Sequence, residues 1–137
     1  MLDIKYKNSS LKTKIEGIKL DSIYKKFCEE FNIENKNINL YFTDDSEIRK
    51  LNKQYRGLDK PTDVLSFPLK DEYDELLGQI VISYETARKQ SQNLNKEIIH
   101  LFIHSLLHLI GYTHNTEKEY NKMKKIEEKY LGKYEKE

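Results

Sequence analysis

The sequence predicts a single α+β domain, a small mixed four-stranded sheet packed with about five helices. Three observations predict it. The chain of 137 residues fits one ordinary domain and leaves no room for two. Strand-period and helix-period segments alternate at first, then two strands adjoin and helices close the chain, an order that suits a mixed sheet with helices packed on it. The apolar surface needed for a core comes from bulky residues, 10 Tyr and 5 Phe among them, despite a charged share of 34%.

Leu2, Ile4 and Tyr6 alternate with polar residues, the period of a half-buried strand. Leu20, Ile23, Tyr24, Phe27, Cys28 and Phe31 recur at steps of three and four, one face of a helix. Cys28 lies on that stripe and reads as core filler. Residues 37–43 (NINLYFT) form the second strand. Asp44 and Glu47 make a capping-box pattern before a short helix marked by Ile48, Leu51 and Tyr55, which Gly57 ends. Residues 63–69 (DVLSFPL) form a third strand, stopped or pushed to an edge by Pro68. The acidic stretch 71–75 then serves as a hairpin loop into a fourth strand at 78–84 (GQIVISY).

A short helix is expected over about 85–94 and a long apolar one over about 96–110, terminated by Gly111. Thr116 and Glu119 repeat the capping pattern and open a last helix whose apolar face is Tyr120, Met123, Ile126 and Tyr130. The Lys/Glu-rich end, 133–137, reads as a frayed tail on the single domain 1–137.

Composition excludes several classes. One Cys permits neither an internal disulfide framework nor a Cys-rich zinc ribbon. The start lacks the apolar core of a signal peptide, and no apolar run approaches the roughly 18 residues of a membrane span. The expectation is a cytoplasmic protein with no membrane partner. A net charge of +1 argues against nucleic-acid binding through the whole surface, so any such contact must use a local patch. Residues 49–60 supply one, with Arg49, Lys50, Lys53, Arg56 and Lys60 against Asp59.

All four histidines fall between His100 and His114. His100, His104 and His108 stand at steps of four on an otherwise apolar helix, where a polar side chain needs a reason. Ligand nitrogens around a tetrahedral zinc lie roughly 3.4 Å apart. His100 and His108 are separated by a rise of about 12 Å, so the stripe supplies two ligands. The third must come from where the chain turns back. Gly111 can take left-handed backbone angles and return His114 to the helix end. The expected triad is therefore His104, His108 and His114, with His100 left as core or as a supporting residue. Three histidines leave an open position, the form of a catalytic zinc site, and make the long helix zincin-like.

The spacing H-x3-H-x2-G-x2-H is also that of the metzincin peptidases, where the residue after the first His is a Glu acting as general base. Here it is Ser105, which cannot deprotonate a water, and the peptidase reading loses its chemistry.

The sequence resembles the YbeY family of bacterial endoribonucleases, also called rRNA maturation factors. The family's H-G-x-L-H-L-x-G-Y-D-H stands here as HSLLHLIGYTH, 104–114. A Tyr-Arg pair followed by T-D-V-L-S-F-P is matched by Tyr55, Arg56 and residues 62–68, and L-L-G-D-I-x-I by LLGQIVI at 76–82. The match covers roughly residues 38–115. Ser105 replaces the usual Gly, Thr113 the usual Asp and Gln79 the usual Asp. A carboxylate at 113 or 79 would have been placed to orient a ligand or a water.

The resemblance implies zinc-dependent cleavage of single-stranded RNA, in 16S rRNA end maturation and ribosome quality control. It also implies the small ribosomal subunit and its proteins as partners. One zinc per chain on His104, His108 and His114 would polarise a phosphoryl oxygen or lower the pKa of a water. Nickel or another transition metal suits the same nitrogens. Arg56, at the family's arginine, is the candidate catalytic cation for the scissile phosphate, because guanidinium meets phosphate in a bidentate way. Its alternative is a plain ion pair with Asp59 or Asp63. Lys50, Lys53 and Lys60 would bind substrate by following the RNA backbone. Tyr55 and Phe67 read as core, Ser66 as strand packing, and Thr62 with Asp63 as a brace for the turn after Pro61. Two other functions stay open: a non-catalytic, zinc-stabilised ribosome-assembly factor, and a metallohydrolase of another substrate.

Overall fold

The computed structural model describes residues 1–69 and 75–132. Strands β1 (Leu2–Tyr6), β2 (Asn37–Thr43), β3 (Val64–Pro68) and β4 (Leu76–Ser83) form one sheet in the order β1-β2-β4-β3. The first three in that order run parallel, and β3 pairs antiparallel with β4. The expected mixed four-stranded sheet is present, and β3 is an edge strand whose final Pro68 faces Gly78. The expectations for 71–74 of the hairpin loop and for the tail 133–137 lie outside the described residues.

Six helices accompany the sheet among the described residues: α1 (Ser9–Ile15), α2 (Leu20–Phe31), α3 (Asp45–Arg56), α4 (Tyr84–Gln90), α5 (Leu94–Leu109) and α6 (Glu117–Leu131). The sequence reading expected about five. The additional one is α1, where the Asn8 side chain caps the Leu11 N–H at 2.9 Å. Its buried face is just Leu11 and Ile15, one helical repeat, too short to stand out as a period. Helix α4 begins at Tyr84 and stops at Gln90, earlier than the expected 94, because Asn93 turns to cap α5 by accepting from Lys96 N–H.

Strand alternation divides the core. Ile38, Leu40 and Phe42 of β2 and Ile80 and Ile82 of β4 join buried residues of α1, α2 and α5 in the main core. Leu65 and Val81 belong to a smaller cluster with Ile48 of α3. Helix α3 therefore covers one face of the sheet while α5 packs on the other. Cys28 is buried in the main core, and burial pushes its thiol pKa up, which suits an inert filler. Tyr120 departs from its expected place on the apolar face of α6. It is exposed, whereas Met123 and Leu131 are buried and Ile126 and Tyr130 pack against the core.

Gly57 ends α3 in the left-handed region, and Gly111 after α5 also has positive φ. Gly78 is required for a different reason. A Cβ there would lie 2.5 Å from the Phe67 carbonyl oxygen and 2.9 Å from Leu109 Cδ2. The missing side chain lets the end of α5 sit directly on the β3–β4 pair. Gly78→Ala is expected to cost about 1–3 kcal/mol, the usual range for overpacking, read as a lowered Tm in thermal unfolding. An unchanged Tm would show that α5 moves away freely.

Candidate metal centre and its cleft

Helix α5 carries His104 and His108 one turn apart. After the helix the chain reverses at Gly111, whose φ of 106° is open to glycine and strained for other residues. His114 is thereby returned to the helix end. One ring nitrogen from each of His104, His108 and His114 falls within 4.8 Å of the others. The Nε2 atoms of His104 and His108 are 3.1 Å apart, near the roughly 3.4 Å that separates neighbouring ligands of tetrahedral zinc. The expected triad of His104, His108 and His114 is thus brought together. His108 is half-buried, and burial, followed by the neighbouring His104 and His114, lowers its pKa, the direction that favours the neutral imidazole.

The residue that sequence reasoning missed is Glu127. It lies on α6 among apolar positions and is 7% exposed. Its Oε1 accepts from His104 Nδ1 at 2.7 Å, and its Oε2 is 3.5 Å from His100 Nε2. Burial alone would raise its pKa, but the hydrogen bonds from His100 and His104 outweigh that and hold it at about 2. An ionised carboxylate is an acceptor only, so His104 must be the donor through Nδ1. Its Nε2 is then the nitrogen left for an ion. His100 also meets Glu97 at 3.3 Å, and its pKa is pushed up to about 9, by Glu127 first and Glu97 second. His100 is thus a partner of Glu127, the supporting role of its two expected ones.

His100, His104 and Glu127 form a second group with ligand atoms within 4.8 Å. Both groups contain His104, so they compete for one residue. The donor set that fits an ion is the three-histidine one. Glu127→Gln, which keeps the shape and removes the charge, is expected to weaken zinc binding about 10- to 100-fold in chelator competition. An unchanged Kd would show that Glu127 serves folding alone. The signal in the sequence was a Glu on the buried side of α6, four residues after Met123.

Glu119 steadies the other side. Thr113 Oγ1 donates to Glu119 Oε2, and the Asn115 N–H donates to the same oxygen at 3.2 Å. The residues flanking His114 are so tied to the first turn of α6, which Thr116 caps by accepting from Glu119 N–H. Thr113, where the family has Asp, is therefore an anchor of the loop. The Glu47 side chain likewise leaves the capping box. Asp44 accepts from Glu47 N–H at 3.0 Å, but the Glu47 carboxylate accepts from Tyr41 and Thr43 hydroxyls.

The histidines open into a cleft of about 700 Å³. Arg56, at the end of α3, and the edge strand β3 line it with them, as do Ser105 and Tyr55. The ion pairs considered for Arg56 are not formed. Asp59 binds Arg49 at 2.8 Å, and Asp63 accepts from Val64 N–H, Thr62 and Gln90. Among the described residues no carboxylate pairs with Arg56. Asp63 and Thr62 thus brace their turn as expected. Lys50, Lys53 and Lys60 are exposed and lie outside the cleft lining. Gln79 faces Phe67 in the strand register, also outside it. Tyr55 corrects the core assignment, being 59% exposed, while Phe67 is half-buried against the smaller cluster.

An α+β fold with three convergent histidines at an open cleft defines a class of protein with a candidate metal site at a cleft. The sequence profile of "Endoribonuclease YbeY" matches residues 3–135. Proteins of that name are similar along most of the chain. That of Thermoanaerobacter sp. strain X514 is 41% identical, over 87% of this chain and 90% of its own. That of Acholeplasma laidlawii is 42% identical, over 83% and 82%. A solution structure from Thermotoga maritima superposes with a TM-score of 0.62 at 32% identity, covering 98% of this chain and 91% of that one. The chain belongs to the YbeY endoribonuclease family.

Proposed function

We propose that the protein is a zinc-dependent, single-strand-specific endoribonuclease that acts in 16S rRNA end maturation and ribosome quality control in the cytoplasm. The observation that carries this reading is the presence in one cleft of the histidine cluster and of Arg56, which no carboxylate pairs with among the described residues. His104, His108 and His114 would hold one zinc per chain, and such an ion supplies a Lewis-acid charge and acidifies water. Glu127 keeps His104 in the tautomer that presents Nε2. Arg56 binds the phosphate and meets the extra negative charge that develops on it in the transition state. The open side of the cleft admits a flexible single strand. Lys50, Lys53 and Lys60 attract the flanking backbone by charge, outside the reacting site. The small ribosomal subunit and its proteins present the substrate. Among the described residues, no helix is long and apolar enough to cross a membrane.

The test pairs metal analysis with a fluorescent single-stranded RNA assay on the purified protein. About one zinc per chain with cleavage of the strand is the expected result. Intact RNA from fully metal-loaded protein, with a Tm that falls on chelation, would overturn it in favour of an assembly factor stabilised by the ion.

A further inference from the structure

We propose that Tyr55 and Phe67 form a stacking platform for one unpaired base of the RNA strand, within the cleft of the histidine cluster. The proposal rests on the single-stranded RNA reading above and adds the subsite that recognises the strand as unpaired.

Four observations point to it. Tyr55 is a large aromatic left 59% exposed, in the last turn of α3. Its ring meets Phe67 at 5.1 Å between centroids and 61° between planes. That edge-to-face contact fixes the two rings against each other while more than half of Tyr55 stays open to solvent. Phe67 in turn packs on the cluster of Ile48, Leu65 and Val81, so the platform stands on a rigid base. Both rings line the cavity that holds His104, His108 and His114.

The occupant follows from chemistry. Tyr55 is followed directly by Arg56, so a π-face and a cation adjoin along the chain in one cleft. A nucleotide offers a flat base to the ring and a phosphate to the cation. Stacking tolerates any base, because every base has a π-face, and it needs the base free of a duplex stack. The platform therefore selects single strands with little sequence preference, and duplex RNA presents no base to it.

The test uses the zinc-loaded full chain and a short single-stranded RNA with one 2-aminopurine, whose fluorescence is quenched on stacking. Wild type and Tyr55→Phe are expected to quench it on binding. Tyr55→Leu, apolar but without a π-face, is expected to bind and quench roughly tenfold more weakly. Its zinc content and Tm should match wild type, and its cleavage should change in KM more than in kcat. Wild-type quenching and KM in Tyr55→Leu would overturn the platform while leaving the nuclease reading intact. Failure of wild type to bind or cleave the strand at all would overturn both. Equal quenching by a duplex of the same sequence would overturn the claim that the platform selects unpaired bases.

Discussion

His114→Ala is expected to lose stoichiometric zinc and, with it, cleavage of single-stranded RNA. Removing a partner that merely orients a ligand costs about 10- to 100-fold in metal affinity, and removal of a ligand should exceed that. Of the three proposed ligands, His114 is the one whose loss should disturb the fold least. It is exposed and lies in the loop after α5, whereas His104 and His108 are part-buried on the helix itself. The metal-free variant should therefore melt at the temperature of metal-free wild type, which separates loss of a ligand from loss of structure. Metal analysis after dialysis and the RNA assay read the two effects. Retention of one zinc with full cleavage would transfer the site to the His100, His104 and Glu127 group, which does not contain His114.

Arg56→Ala is expected to keep the zinc and lose about 10²- to 10³-fold in cleavage rate, the usual cost of one donor aimed at transition-state charge. The fold should be untouched, because Arg56 is exposed at the end of α3 and makes no ion pair among the described residues. Arg56→Lys keeps the charge without the planar fork, so it should restore part of the rate. Wild-type cleavage by Arg56→Ala would remove the arginine from the mechanism. Full cleavage by a verified metal-free form of that variant would sink the nuclease reading as a whole. The two variants thus dissect one cleft, His114 through the metal and Arg56 through the rate.

Several features were legible because they are local. The apolar period of α2, the caps at Asp44 and Thr116, and the stops at Gly57 and Gly111 each need only a few consecutive residues to be read. The histidine triad was legible for the same reason, since two of its members are one helical turn apart and the third follows a glycine reversal. Helix α1 was not, because two apolar positions make no period. Tyr55 was misplaced because spacing on α3 tells which side is apolar, and not how far the sheet extends beneath its last turn. Glu127 was missed because a buried carboxylate looks like any surface Glu until its partners are known.

The sequence by itself determined the mixed sheet, the histidine triad and the order of every element except α1, through helix pitch, strand alternation and the conformational freedom of Gly111. Only the tertiary structure decided that Glu127 of α6 would hold His104 of α5, that Arg56 would escape Asp59 and Asp63, and that Tyr55 would stand open beside the histidines. The His104–Glu127 pair joins residues 23 apart along the chain. These placements depend on how α3, α6 and the edge strand are packed around α5, which local spacing does not encode.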